Sequence, residues 1–261
     1  MNKPIYRYLA DRKWREYDRK VLMQRLTQMK VVPDVLPTID PILDIKLAFL
    51  RERAYNRNES QSGGIPSSVR PGHFKYIPTG AFVESTTSEN PFLLNIQSFE
   101  HGERLITVAV VDPDVPDVVN NIFTSRCHFL ASNITISPTN RIVNLSTLSG
   151  TDQRILPWIP PHAQKGSPYH RLSVFILQQR SNQPIEIASA QSSIQPHGFS
   201  LRSFASKQAL KPVGAHLFRT QWDNGTAEVM QRAGLAGADV ELKRVKVEPL
   251  PYKRRNPPSF R

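Results

Sequence analysis

Cysteine occurs once in 261 residues, at Cys127, which excludes an intramolecular disulfide framework and any cysteine-based zinc ribbon. Long hydrophobic runs are missing as well. The longest, at 106–111 and 174–177, are of strand length, far short of the roughly 20 residues that span a bilayer. Glycine is scarce, 12 residues against 22 prolines, which suggests a loop-rich body. Neither Gly63-Gly64 nor the glycines at 234 and 237 lead into Lys-Ser or Lys-Thr, so no phosphate-cradling loop is present. The seven histidines lack metal-ligand spacing. No serine or cysteine stands as a placed nucleophile: Cys127 adjoins His128, and adjacent residues of a strand face opposite sides. The sequence therefore reads as a non-enzyme with no catalytic residues, no metal, no cofactor, no small-molecule substrate and no membrane insertion.

What is present is charge at the two ends. The net charge is +12. Residues 1–30 carry nine Lys/Arg against three acids, and residues 243–261 carry seven against one, a net of +6 each. The 212 residues between them are neutral, 18 basic against 18 acidic. A neutral body with two cationic ends implies a polyanionic partner, because each phosphate neutralised releases condensed counterions. Lys3, Arg7, Arg12, Lys13 and Arg15 at one end, and Lys253, Arg254 and Arg255 at the other, are the candidate RNA-binding cations. Tyr6, Tyr8, Trp14 and Tyr252 are the candidates for stacking on bases or filling protein pockets.

Four segments are expected. Residues 1–43 form a basic arm and an amphipathic helix over 11–30, with a stripe of Trp14, Tyr17, Val21, Leu22, Leu26 and Met29. Val31-Val32-Pro33-Asp34-Val35-Leu36-Pro37 then forces the chain out of helix. Residues 44–74 hold a first strand (44–49) and a long polar loop (51–72) leading into a domain at 75–235. Residues 236–261 form an extended basic tail, too proline-rich for a helix. Within the domain, strands are predicted at 92–97, 105–111, 127–136, 172–178 and 214–221, with a weaker one at 186–190. Helices are predicted at 201–210 and 226–233. The fold class is mainly β, a Greek-key type sandwich with peripheral helices.

Asp112-Pro113-Asp114-Val115-Pro116 follows the strongest strand and reads as a rigid loop holding carboxylates at the rim of a sheet. His128 lies sixteen residues after Asp112, and Gly166…His170-Arg171 feeds another strand. Together with Phe199-Ser200-Leu201-Arg202-Ser203-Phe204-Ala205, Leu210-Lys211-Pro212-Val213-Gly214-Ala215 and Phe218-Arg219-Thr220-Gln221-Trp222-Asp223, these segments resemble the phosphatidylethanolamine-binding protein superfamily over roughly 75–235.

The resemblance implies that fold, and a small cavity for phosphate-like anions lined by Asp112, His128 and His170. Leu172 and Met230 stand where the family's lipid-binding members carry tyrosines. Each hydrogen bond thus left unmade costs a buried anion about 1–3 kcal/mol. The pocket is expected to be vestigial, its residues kept because they hold loops together.

The two ends resemble one branch of the superfamily, found in the large subunit of the mitochondrial ribosome. The matching residues are Lys3-Pro4-Ile5-Tyr6-Arg7-Tyr8-Leu9, Val31 through Pro37 and Pro251-Tyr252-Lys253-Arg254-Arg255. That resemblance implies a structural role at the central protuberance, in the mitochondrial matrix, with large-subunit rRNA and other mitochondrial ribosomal proteins as partners. The opening residues nevertheless lack the Ser/Arg-rich, acid-poor character of a presequence. Two other functions stay open. One is a regulator of kinase- or protease-inhibitor type that binds anionic lipid or phosphopeptide at Asp112, His128 and His170; the other is an RNA-binding cofactor elsewhere in the cell.

Overall fold

The computed structural model describes residues 3–51, 73–148 and 153–243. Most of the expected polar loop lies outside them, as do Tyr252, Lys253, Arg254 and Arg255 of the expected tail.

The chain opens with helix α1 (Pro4–Lys13), a π-helical turn (Trp14–Asp18) and α2 (Arg19–Gln28), which run on without a break. Helix therefore begins earlier than periodicity predicts and takes in the Tyr6-Arg7-Tyr8 arm. Pro4 in the first helical position explains the start: its fixed φ suits a helix, and its missing N–H is one the first turn would leave unpaired anyway. Trp14, Leu22 and Leu26 are buried, whereas Tyr17 and Val21 are exposed. The extra residue of a π-turn rotates the stripe, so the buried line is narrower than expected. The chain then leaves the helix, as the prolines require, but keeps a short turn, α3 (Val31–Asp34), around an extended Val32.

The strands are β1 (Asp44–Arg51), β2 (His73–Ile77), β3 (Ala81–Phe82), β4 (Leu93–Gln97), β5 (Arg104–Asp117), β6 (Ile122–Ile136), β7 (Ile142–Asn144), β8 (Arg154–Leu156), β9 (His170–Gln178) and β10 (Lys211–Thr220). They make a smaller sheet of order β2-β1-β4-β7 and a larger one of order β3-β10-β9-β5-β6-β8, antiparallel except for the β3–β10 pair. Because β1 pairs with both β2 and β4, the boundary expected at 75 falls inside the smaller sheet. The helices of the body are α4 (Ser85–Ser88), α5 (Ile187–Ser193), α6 (Leu201–Lys207) and α7 (Thr226–Arg232).

The larger sheet is buried on both faces, which is why β5 and β9 read as unbroken apolar runs. Ile106, Val108 and Val110 of β5 join Leu172, Val174 and Ile176 of β9 in the core shared with the smaller sheet. Ala109, Val111, Phe175 and Leu177 belong to a second core with Trp14, Leu22, Leu26, Ile187 and Phe204 of the helices. Phe49, Phe92 and Phe218 meet edge to face between the sheets, at 5.5, 5.6 and 6.3 Å.

Two elements depart from expectation. The weak strand at 186–190 is helix α5: Ile187 and Ala190 are buried at i, i+3 spacing, and the β-branched isoleucines gave a false strand signal. The Asp112–Pro116 segment is also strand, not loop. β5 loses its β9 neighbour after Val111 and continues against β6 alone, with Asp112 opposite Arg126 and Asp117 opposite Ile122. With one edge free, Pro113 and Pro116 need not donate on that side.

Candidate functional site

Asp112, His128 and His170 come from β5, β6 and β9, and the fold brings all three together. Their side chains are 1%, 0% and 3% exposed. His170 Nδ1 lies 2.7 Å from Asp112 Oδ2, and the Asp114 N–H donates to Asp112 Oδ1 at 2.9 Å. His128 Nδ1 lies 2.9 Å from the Ile159 carbonyl, which leaves Nε2 without a hydrogen-bond partner, 3.8 Å from Asp112 Oδ2. Burial alone would raise the Asp112 carboxyl. The two histidines outweigh it and hold Asp112 well below the usual carboxylate range.

Two residues missed in the sequence complete the cluster. Arg126 Nη1 donates to His162 Nε2 at 2.7 Å, while His162 Nδ1 meets the Pro160 carbonyl at 2.9 Å. That geometry requires a neutral His162, and burial pushes its pKa down to about 4. The available signal was position along the strand: Arg126 stands two residues before His128 and sits opposite Asp112.

Beside the cluster, Arg171 binds Asp114 three times, through its backbone N–H (2.9 Å), Nε (2.8 Å) and Nη2 (2.7 Å). Its Nη1 reaches the Met29 carbonyl at 2.7 Å and Asp34 at 2.9 Å. The Asp114 hydrogen bonds hold the guanidinium above its ordinary pKa. One side chain thus ties the end of the N-terminal helix to β9 and β5.

Within the cluster the hydrogen bonds run between protein groups, and His128 Nε2 has no partner. Ser167 Oγ donates to the Gln164 carbonyl at 2.7 Å and stands 3.5 Å from His170 Nε2, so its proton is committed elsewhere. Cys127 lies in the helix-side core, across the sheet from His128, and burial pushes its thiol up to about 12. Where hydroxyls would be needed, Leu172 lies in the inter-sheet core and Met230 is buried on α7. Among the described residues, no three His, Cys, Asp or Glu gather for a metal, and no helix is long and apolar enough to cross a membrane.

The N-terminal candidates are placed unequally. Lys3, Tyr6, Tyr8, Arg12, Lys13 and Arg15 are exposed. Trp14 is not available for stacking on a base: it is 4% exposed and packs on Phe99 with ring centroids 6.5 Å apart. Arg7 is likewise buried, against His101. Both lie on the helix face turned to the body. Arg12 pairs with Glu16 and Arg15 with Asp11, each at 2.8 Å across one exposed helical turn.

A family model described as phosphatidylethanolamine-binding protein matches residues 68–239. The large ribosomal subunit protein mL38 of Schizosaccharomyces pombe is 27% identical over 230 residues, which are 88% of this chain and 66% of that protein. The chain thus spans somewhat less than two thirds of that relative. Among solved structures, a phosphatidylethanolamine-binding protein from Plasmodium vivax superposes with a TM-score of 0.52 at 16% identity, over 77% of this chain and 97% of that one. A carboxypeptidase Y inhibitor, seen with its cognate proteinase, gives 0.52 at 12% identity, over 78% and 96%. At such identities the likeness is one of fold.

Proposed function

Because the chain belongs to the phosphatidylethanolamine-binding protein family yet buries Asp112, His128 and His170 among protein groups, we propose that it is a structural constituent of the mitochondrial large ribosomal subunit, working in the matrix. The observation that carries this is the reach of the ribosomal match. It spans 230 residues, whereas the family model spans 68–239, so at least 58 matched residues lie beyond the family's own domain. Similarity that runs beyond the domain and into at least one of the cationic ends is what a shared assembly surface requires and a shared ligand pocket does not.

In this role the body is a rigid, protein-facing wall and the ends grip ribosomal RNA. Lys3, Arg12, Lys13 and Arg15 offer cations along an exposed helix. The Arg12–Glu16 and Arg15–Asp11 pairs lie on the exposed side of the helix, where solvent screens an ion pair, and yield readily to phosphate. Tyr6 and Tyr8 supply stacking surface. Lys253, Arg254 and Arg255, with Tyr252, follow the backbone of a second RNA segment without reading its bases.

Replacing Lys253, Arg254 and Arg255 together by alanine is expected to weaken association of the full chain with depleted large subunits. It is also expected to flatten the slope of log affinity against log salt by about 2–3. A salt series of binding to purified particles reads both quantities. Unchanged affinity and slope would remove the tail from the RNA interface.

A further inference from the structure

Resting on the ribosomal proposal, we infer that the tip of the β5–β6 hairpin is a protein-docking element, seated in an apolar groove with a basic rim on a neighbouring ribosomal protein. Pairing places the tip outside both cores. β5 pairs with β9 only as far as Val111, and β6 pairs with β8 only at Leu130 and Ala131. Residues 115–124 therefore extend as a two-stranded ribbon, a form that is marginal in water without something to pack on. Val115 at its base is buried, but the apolar side chains of the turn face solvent: Val118, Val119, Ile122 and Phe123 are 69%, 93%, 55% and 61% exposed. Four large apolar residues on one projecting turn are more than scattered surface hydrophobics account for.

The turn itself is ordered from within. Asp117 Oδ1 accepts the N–H groups of Val119 (3.1 Å) and Asn120 (3.2 Å), and its Oδ2 accepts Asn120 Nδ2 at 2.7 Å. The shape presented to a partner is thus set before contact, which lowers the ordering cost of binding.

Charge selects the class of partner. In a chain of net charge +12, residues 112–125 contain three aspartates and no lysine or arginine. Asp112 is buried and Asp114 is held by Arg171, so the charge left at the tip is the half-buried Asp117 carboxylate. A polyphosphate backbone or an anionic bilayer repels such a tip. A protein groove lined by aliphatic and aromatic side chains, with Lys or Arg at its edge, complements it.

The test uses the full chain. With p-benzoylphenylalanine in place of Val119, irradiation of purified large subunits is expected to give an adduct with one ribosomal protein, at an apolar peptide flanked by Lys or Arg. Ile122→Ser with Phe123→Ser is expected to lower affinity for depleted particles at least tenfold, with the melting temperature of the free protein unchanged. Asp117→Asn, which can still cap the turn, is expected to lower affinity about two- to fivefold and to reduce its salt dependence. An adduct on rRNA or lipid, no protein adduct in co-sedimenting particles, or unchanged affinity of the double variant would overturn the docking role alone. Failure of the wild-type chain to sediment with the subunit would overturn the ribosomal assignment, and the docking role with it.

Discussion

Asp112→Ala is expected to destabilise the protein by about 3–5 kcal/mol, since it removes two hydrogen bonds to a buried carboxylate, each worth about 1.5–3 kcal/mol. Two facts set that size. His170 Nδ1 has the Asp112 carboxylate as its acceptor at 2.7 Å, and the Asp114 N–H has it as its acceptor at 2.9 Å. Alanine leaves His170 Nδ1 unsatisfied where water does not reach. Asp112→Asn should cost less, about 1–2 kcal/mol, because an amide oxygen can still accept the Asp114 N–H, and His170 can adopt its other tautomer to meet the amide NH2. Urea unfolding of the three proteins at pH 7 reads the order. Neutral pH matters here. Asp112, with its folded pKa depressed, contributes stability that is present above about 3.8 and lost as pH falls through the folded value. His162 and His216, lowered by burial to about 4, stay neutral in the fold and subtract stability as pH falls from 6.5 towards 4. Wild-type stability in Asp112→Ala would mean that the Asp112 carboxylate does not hold the cluster together.

Arg171→Met is the second large effect, about 2–4 kcal/mol. Methionine keeps most of the aliphatic stem and the backbone N–H bond to Asp114 and removes the fork, so packing is largely preserved while the side-chain bonds to Asp114, Asp34 and the Met29 carbonyl vanish. The consequence should be local before it is global. The N-terminal helix loses its polar anchor on β9 and keeps its hydrophobic one, Leu22 and Leu26 against the helix-side core. Trypsin is expected to cut at Arg19, Lys20 or Arg25 at least tenfold faster in the variant, well before the sheets are attacked. Mass spectrometry of a timed digest measures this. Equal cleavage rates would show that the guanidinium does not hold the helix.

These two residues also mark how far sequence reasoning reached. Asp112, His128 and His170 were found together because each was expected at a strand boundary; in the fold only His170 stands at one, while Asp112 and His128 lie inside β5 and β6. The strands of the larger sheet were legible because burial on both faces leaves an apolar run that no loop would carry. The Arg171 anchor was not legible, since Met29 and Asp34 lie about 140 residues away and nothing local announces the contact. Arg126 and His162 escaped because each had a bland reading alone and only the pairing of β5 with β6 puts them beside Asp112. Pro113 and Pro116 argued for a loop, and did so correctly for any strand with two neighbours. The free edge beyond Val111 made the difference. Trp14 was read both as part of the apolar stripe and as a candidate for stacking on bases; the stripe reading holds, since it packs on Phe99 against the body.

The central claim, that this chain is a built-in part of the large ribosomal subunit, is tested most directly by sedimentation. Lysed mitochondria would be run on sucrose gradients with and without a high-salt wash, and the endogenous protein followed across the fractions. Co-migration with the large subunit that survives the wash is the expected result, since an integral component combines buried protein contacts with its phosphate contacts. Migration at its own mass of 29.6 kDa would contradict it, and would return attention to the anion-binding chemistry of Asp112, His128 and His170.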